Sequence, residues 1–379
     1  MESPVGLAQI WSGGLIYIVP FLFVLTIIVF FHELGHFLVG RWCGIKALVF
    51  SVGFGPELIG FNDRRGTRWK LAAVPLGGYV KFLGDENAAS VPDRAAVDAM
   101  SDAERSGAFP AKSVGRRAAT VAAGPIANFI LAIVIFAGVA YVEGRVVGDP
   151  VVAEVRDGSP AAAAGFKPGD KVLSADGETI RYFSDLQRYV SSRADTPIRM
   201  TVERNGSPVE LTVTPRSEVQ TDGFGNEFKV PVVGLVANND GSSFRVESLS
   251  PVEAVAYGVS QTWFVTTRTV DFMGEVITGR QNADQIGGPI RIAQVSSQVS
   301  TIGLGALLNL AALLSVSIGL LNLLPIPMLD GGHLLFYAFE AIRGRPLSEQ
   351  VQEVGFRIGL ALVMLLMVFA FWNDISGLV

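Results

Sequence analysis

The residues best equipped for chemistry lie in VFFHELGHFLVG, Val29 to Gly40, where two histidines and a glutamate interrupt a long apolar run. On a helix, His32 and His36 are four residues apart and share one face, so their imidazoles can converge on one metal ion. Glu33 then stands beside that ion as a general base. An H-E-x-x-H pattern is weak evidence alone, and a buried histidine commonly has no more than a hydrogen-bonding partner. Context strengthens it here. The chain has three histidines, two of them in this pattern, and ionisable groups inside an apolar span point to function.

A catalytic zinc takes three protein ligands and keeps one position open. The third ligand must come from elsewhere, and NLLPIPMLDGGH, Asn322 to His333, offers Asp330, the first charge after a long uncharged run. Pro325 and Pro327 remove backbone donors and force non-helical chain, which membrane depth tolerates only against protein or a wet cavity. Gly331 and Gly332 let the backbone pass close to another element. Considered alone, Asp330 is a boundary carboxylate in a loop turn; paired with the histidines, it is the expected third ligand. His333 then either supports the ligands from behind or is structural, because His32, His36 and Asp330 complete the set. Asn322 and Asn128 are polar residues in apolar surroundings. Each can hydrogen-bond a substrate backbone, and for Asn128 an interhelical hydrogen bond is an equal alternative.

These residues need apolar helices to hold them. Of 379 residues, 50% are hydrophobic and 17% charged, and the mean hydropathy is +0.42, too apolar for an ordinary soluble protein of this size. A net charge of −5 without a dense basic run gives no footprint for nucleic acid. The single cysteine, Cys43, excludes an internal disulfide and a thiolate metal cluster. Spanning a bilayer takes about 20 apolar residues, and four segments qualify: Leu15 to Val39, Ala118 to Val142, Ile302 to Leu329 and Phe356 to Trp372. No Lys or Arg precedes Arg41, so a cleavable signal peptide is not expected and the first span is expected to be retained. Arg41, Lys46, Arg64, Arg65, Arg68, Lys70, Lys81, Lys112, Arg116 and Arg117 lie between the first two spans, which predicts that this connection is cytoplasmic. Both termini and the insert between spans two and three then face outward.

That insert, from about Glu143 to Ser250, alternates strand-like runs with DG, NG and PG turns and reads as a small β-rich domain. GSPAAAAGFKPGDKVLSADGETI, Gly158 to Ile180, resembles the PDZ domains of bacterial proteases, and FSDLQRYVSS resembles the helix lining a PDZ peptide groove. Peptide binding and steric gating are equally open roles for it. After it, Ser250 and Glu253 suit a capping box, and a face carrying Val255, Val259, Phe264 and Met273 fits an amphipathic helix on the bilayer surface or against the spans. Arg268, Asp271 and Glu275 argue against a fifth span. The expected fold is therefore an α-helical membrane protein of four transmembrane helices with an inserted PDZ-like α+β domain. Its parts are residues 1–142 (membrane core, first part), 143–217 (PDZ-like domain), 218–300 (connecting segment) and 301–379 (membrane core, second part).

Taken together, HELGH, NLLPIPMLDGG, FSVGFGP, PLGGYVKFLGD, AAGPIANF and GGPIRIA resemble, in order and spacing, the site-2 protease family, specifically the RseP type of bacterial intramembrane zinc metalloprotease. The match covers nearly the whole chain, although one PDZ-like domain stands where the enterobacterial type has two. The resemblance implies a Zn2+ cofactor held by His32, His36 and Asp330, with Glu33 as the base. It implies that Gly77, Gly78 and Tyr79, in a membrane-associated β-hairpin, act with Asn322, Pro325 and Pro327 in handling substrate. An ordinary cytoplasmic hairpin is the alternative for the glycine pair. Implied partners are single-span membrane proteins, such as shortened anti-sigma factors and remnant signal peptides, in the bacterial inner membrane, with the active site toward the cytoplasmic side. A membrane PDZ scaffold that binds without cleaving is the competing function, and the general base Glu33 weighs against it. A zinc transporter is weaker still.

Overall fold

The computed structural model describes residues 7–85, 99–221, 227–237, 244–279, 283 and 287–376. In chain order they form helix α1 (Leu7–Trp42), the hairpin β1 (Ala47–Asn62) and β2 (Arg68–Phe82), and helix α2 (Val114–Glu143). A run of strands follows: β3 (Arg145–Gly148), β4 (Val152–Val155), β5 (Lys171–Ala175) and β6 (Glu178–Thr179). Next come helix α3 (Phe183–Ser191), then β7 (Ile198–Arg204), β8 (Ser207–Val213), β9 (Arg216–Thr221), β10 (Glu227–Val232), β11 (Leu235–Ala237) and β12 (Phe244–Glu247). Helices α4 (Pro251–Ile277), α5 (Pro289–Ser300), α6 (Leu304–Asn322), α7 (Asp330–Arg343) and α8 (Glu349–Ser376) complete the chain.

Two compact units result. The first takes in the chain to Val139, Ala254–Thr269 and the C-terminal stretch to Ser376. Among the described residues, four of its helices are long and apolar enough to cross a membrane: Ile16–Trp42, Val114–Glu143, Leu304–Asn322 and Gln350–Ser376. Helix α6 is central. Its Leu307 and Ala311 pack on Val24 and Ile28 of α1, while Ala312 and Val316 pack on Ala132 and Phe136 of α2. The outward faces remain apolar, with Ile130, Val134, Leu365 and Val368 exposed, the pattern of helices solvated by hydrocarbon. The third apolar run does not stay helical to Leu329: α6 ends at Asn322, and a loop carries the chain into α7 at Asp330. Proline at 325 and 327 leaves the backbone no donor with which to continue the ladder.

The hairpin is wound into the same unit. β1 pairs antiparallel with β2, and Phe50 has partners on both sides, Val80 and Trp69. That double pairing requires the strands to bend, which they do at Gly53 (φ +90) and Gly77 (φ +142). Phe37, Phe50, Val80, Phe82 and Phe109 form a buried cluster with Leu334 and Tyr337 of α7 packed on it. Near its turn, Asp63 pairs with Arg41 at the end of α1. Although burial opposes ionisation, the N–H groups of Thr67 and Arg65 and the Arg41 guanidinium hold the Asp63 carboxyl down at about 2.

Helix α4 begins with the expected capping box, Ser250 Oγ accepting from Glu253 N and Glu253 reaching back to Ser250 N. Its packed face is Ala254, Gly258 and Thr262; a Cβ at Gly258 would meet the Ile133 carbonyl of α2. Val255 and Val259 point outward, so it is the small residues one position earlier that meet the spans. Contact between two helix backbones selects for small side chains in apolar surroundings.

The second unit includes Ala140–Glu253. Its main sheet has the order β6-β5-β7-β8, with Val172, Ile198, Met200 and Val202 fully buried beneath Leu186 and Val190 of α3. The Asn205-Gly206 turn (φ +50 and +76) closes β7 on β8. Arg204 clasps the buried Asp170 carboxylate through Nε and a terminal nitrogen, each at 2.7 Å. Beyond residue 217 the chain stays with this unit: β11 pairs with β4 and β12 with β3, ladders between distant segments that strand-like runs alone do not reveal.

Candidate metal centre

Helix α1 sets His32 and His36 on one face with ring centroids 4.8 Å apart and their Nε2 atoms 3.2 Å apart. Asp330, the first residue of α7, reaches the same point: Oδ2 is 3.2 Å from His32 Nε2 and Oδ1 is 3.5 Å from His36 Nε2. One ligand atom from each of the three residues lies within 4.8 Å of the others.

The loop before α7 explains the two glycines after Asp330. It folds back over the first turn of α7, so a Cβ at Gly331 would overlap the carbonyls of Leu323 and Leu324, and one at Gly332 would overlap Ile326 O. Met328 holds φ +87, a conformation costing about 1–3 kcal/mol in a non-glycine residue, which the surrounding packing must offset. Pro327 lies against α8, where Gly355 and Gly359 leave room for it. Helix α7 is tied to α2 by the partly buried Arg117–Glu340 pair at 2.5 Å, with Arg117 also over the Tyr337 ring.

Helix α2 supplies the rear wall through residues 120, 124 and 128, one face at four-residue spacing. The Thr120 carbonyl lies 2.9 Å from His36 Nδ1, and Asn128 Nδ2 lies 3.2 Å from His32 Nδ1. Between them, a Cβ at Gly124 would overlap the His36 ring and come within 2.9 Å of His32 Cε1. Gly35 of HELGH likewise abuts the Ala123 carbonyl. Ser315 of α6, fully buried, donates to the Asn128 carbonyl at 2.9 Å.

A cavity of about 200 Å³ opens onto these residues. Glu33, Gly78, Tyr79, Val80, Asn322, Met328 and His333 line it together with His32, His36 and Asp330. Gly78 is close enough that a Cβ there would stand 3.0 Å from Glu33 Cγ. Burial lowers the pKa of the cavity-lining His333 imidazole below its ordinary value. Of the residues expected to handle substrate, Asn322, Gly78 and Tyr79 line the cavity. Gly77 faces the Phe54 ring instead, and Pro325 and Pro327 shape the loop beside the lining rather than forming it.

The sequence profile described as Peptidase family M50 matches residues 20–366, a span containing every residue of this centre. The chain belongs to peptidase family M50. A "putative zinc metalloprotease" of Agrobacterium fabrum is 57% identical over 96% of both chains. One of Rhizobium meliloti is 54% identical over 96% of this chain and 97% of its own. Metalloprotease MmpA of Caulobacter vibrioides is 44% identical over 96% of both. Among solved structures, the PDZ domain of an SdrC-like protein from Listeria monocytogenes is similar to 24% of this chain and 87% of its own, with 19% identity and a TM-score of 0.20. This M50 protein is a zinc metalloprotease.

The M50 centre fits its metal. Two ligand atoms about 2.1 Å from zinc at a tetrahedral angle stand about 3.4 Å apart, against 3.2, 3.2 and 3.5 Å among the two Nε2 atoms and the Asp330 oxygens. Asp330 Oδ2 is buried without a hydrogen-bond partner among the described residues, as an oxygen reserved for a cation would be. Sequence reasoning carried Gly124 only as part of AAGPIANF, without a role, and did not find Thr120 or Ser315. For Thr120 and Gly124 the signal was small and polar residues recurring every four positions along an otherwise apolar α2, and for Ser315 a lone hydroxyl in the apolar α6; both read equally as helix packing.

Proposed function

We propose that this M50 protein hydrolyses peptide bonds within or beside a membrane, in the transmembrane segments of single-span substrates. The observation that carries it is a Glu33-bearing cavity beside the His32, His36 and Asp330 cluster, built among helices apolar enough to lie in lipid. In this reading His32, His36 and Asp330 hold zinc, which when bound supplies Lewis-acid activation of water and of the scissile carbonyl. Glu33 takes the proton of the attacking water on its carboxylate and delivers it to the leaving amine. Among the described residues β2 pairs with β1 alone, so the cavity-lining stretch from Gly78 to Val80 offers backbone groups to an unwound substrate strand. Such pairing offsets the several kcal/mol that each unsatisfied backbone group costs in lipid. Asn322 adds a side-chain amide to the same task.

The basic residues between the first two apolar helices favour a cytoplasmic hairpin and an outward-facing second unit in the bacterial inner membrane. Shortened anti-sigma factors and remnant signal peptides are the proposed substrates. The PDZ-like unit either takes a peptide in its groove or excludes substrates with bulky outer portions, and deleting Glu154 to Pro215 separates the two: a filter predicts that untrimmed substrates become cleavable. The primary test is cleavage of a co-expressed single-span reporter. Wild type should cut it, and Glu33→Gln should hold zinc without cutting. A wild type that binds the reporter and leaves it intact would favour a scaffold.

A further inference from the structure

Both imidazoles can offer Nε2 to a metal only if each carries its proton on Nδ1. For His36 the protein settles this, because the group facing Nδ1 at 2.9 Å is the Thr120 carbonyl, which only accepts. For His32 the group facing Nδ1 at 3.2 Å is the Asn128 amide, which donates from one end and accepts from the other. With Nδ2 toward the ring, His32 Nδ1 must carry the lone pair. Its Nε2–H then points to His36 Nε2, 3.2 Å away, and no metal can be held. In that orientation the fully buried Asn128 Oδ1 has no hydrogen-bond partner among the described residues, a shortage it shares with Asp330 Oδ2. A half-turn of the amide exchanges two nearly isosteric groups. It places Oδ1 against His32 Nδ1–H and frees His32 Nε2 for the centre.

We propose that Asn128 is a positioning residue for the zinc site: its Oδ1 accepts the His32 Nδ1–H in the zinc-loaded protein and thereby fixes the tautomer that turns Nε2 toward His36 and Asp330. This rests on the zinc reading of the centre. The backbone is prepared for the role. Ser315 Oγ donates to the Asn128 carbonyl, and a Cβ at Gly319 would stand 3.1 Å from Asn128 Cβ, so α6 braces the residue from behind. Partners beyond the ligands are commonly worth 10–100-fold in metal affinity.

The experiment compares full-length wild type, Asn128→Asp and Asn128→Leu in detergent micelles by chelator competition for zinc. Asp can only accept and should stay within about threefold of wild type, whereas Leu, of similar volume, should lose about 10–100-fold. Leu binding zinc as wild type does, or Asp losing as much as Leu, overturns the proposal. A wild type that binds no zinc overturns the metal reading itself, a distinct result. Should the Leu variant fail to fold, ¹⁵N-histidine spectra of the zinc-loaded wild type decide. With three histidines in the chain, a His32 ring protonated at Nδ1 supports the proposal and one protonated at Nε2 overturns it.

Discussion

His32 Nε2 and Asp330 Oδ2 stand 3.2 Å apart, although one lies on the first helix and the other begins the helix before the last. Closing that distance needs α1, α2, α6 and the loop before α7 all in place, so the centre reports on the packing of the entire helical unit.

Removing a ligand and removing the base should therefore differ. Asp330→Asn and His36→Ala should lose stoichiometric zinc, measured by metal analysis of the purified chain. Glu33→Gln should keep it while cleavage falls by about 10²–10⁴-fold, the usual contribution of a general base. Unaltered cleavage in Glu33→Gln would remove the base assignment.

Gly124 should tolerate no side chain. Its Cβ would occupy space held by the His36 ring, so Gly124→Ala should lower thermal stability by about 1–3 kcal/mol, as overpacking does, and weaken zinc binding. Gly138 lies on the same helix with nothing within 4 Å, and Gly138→Ala should leave both within error. Equal behaviour of the two variants would contradict the close approach of α2 to the centre.

The Arg117–Glu340 pair should matter more when broken than when replaced. Both side chains are 13% exposed, so Arg117→Met alone strands a nearly buried carboxylate and should cost about 3–5 kcal/mol. Arg117→Met with Glu340→Met should recover much of that loss in thermal unfolding, and additive losses would exclude the coupling.

Asp63 should make the hairpin sensitive to acid. Its folded value, about 2, lies below the ordinary aspartate value of about 3.9. The sign follows from linkage: its stabilisation is complete above about pH 4 and is lost as pH falls toward 2. Hydrogen exchange of the β1–β2 amides between pH 5 and 2.5 should show progressive loss of protection, and Asp63→Asn should remove that pH-dependent component.

The chain's linear pattern was enough for everything that depends on composition and short spacing. Hydropathy marked four long apolar helices, because burial of a backbone in hydrocarbon demands long uncharged runs. Four-residue spacing put His32 and His36 on one face. The prolines and glycines around Asp330 announced a broken, closely packed turn. Tertiary structure alone decided that the strands to β12 belong to the second unit, and that Ala254, Gly258 and Thr262, rather than Val255 and Val259, meet the spans. It alone brought the α2 face of Thr120, Gly124 and Asn128 behind the imidazoles. The physical reason is that local propensity and periodicity are written within a few residues. The distance from an imidazole to a carboxylate or an amide across helices is set by how backbones approach, and glycine and serine make that approach possible without leaving a signature of their own.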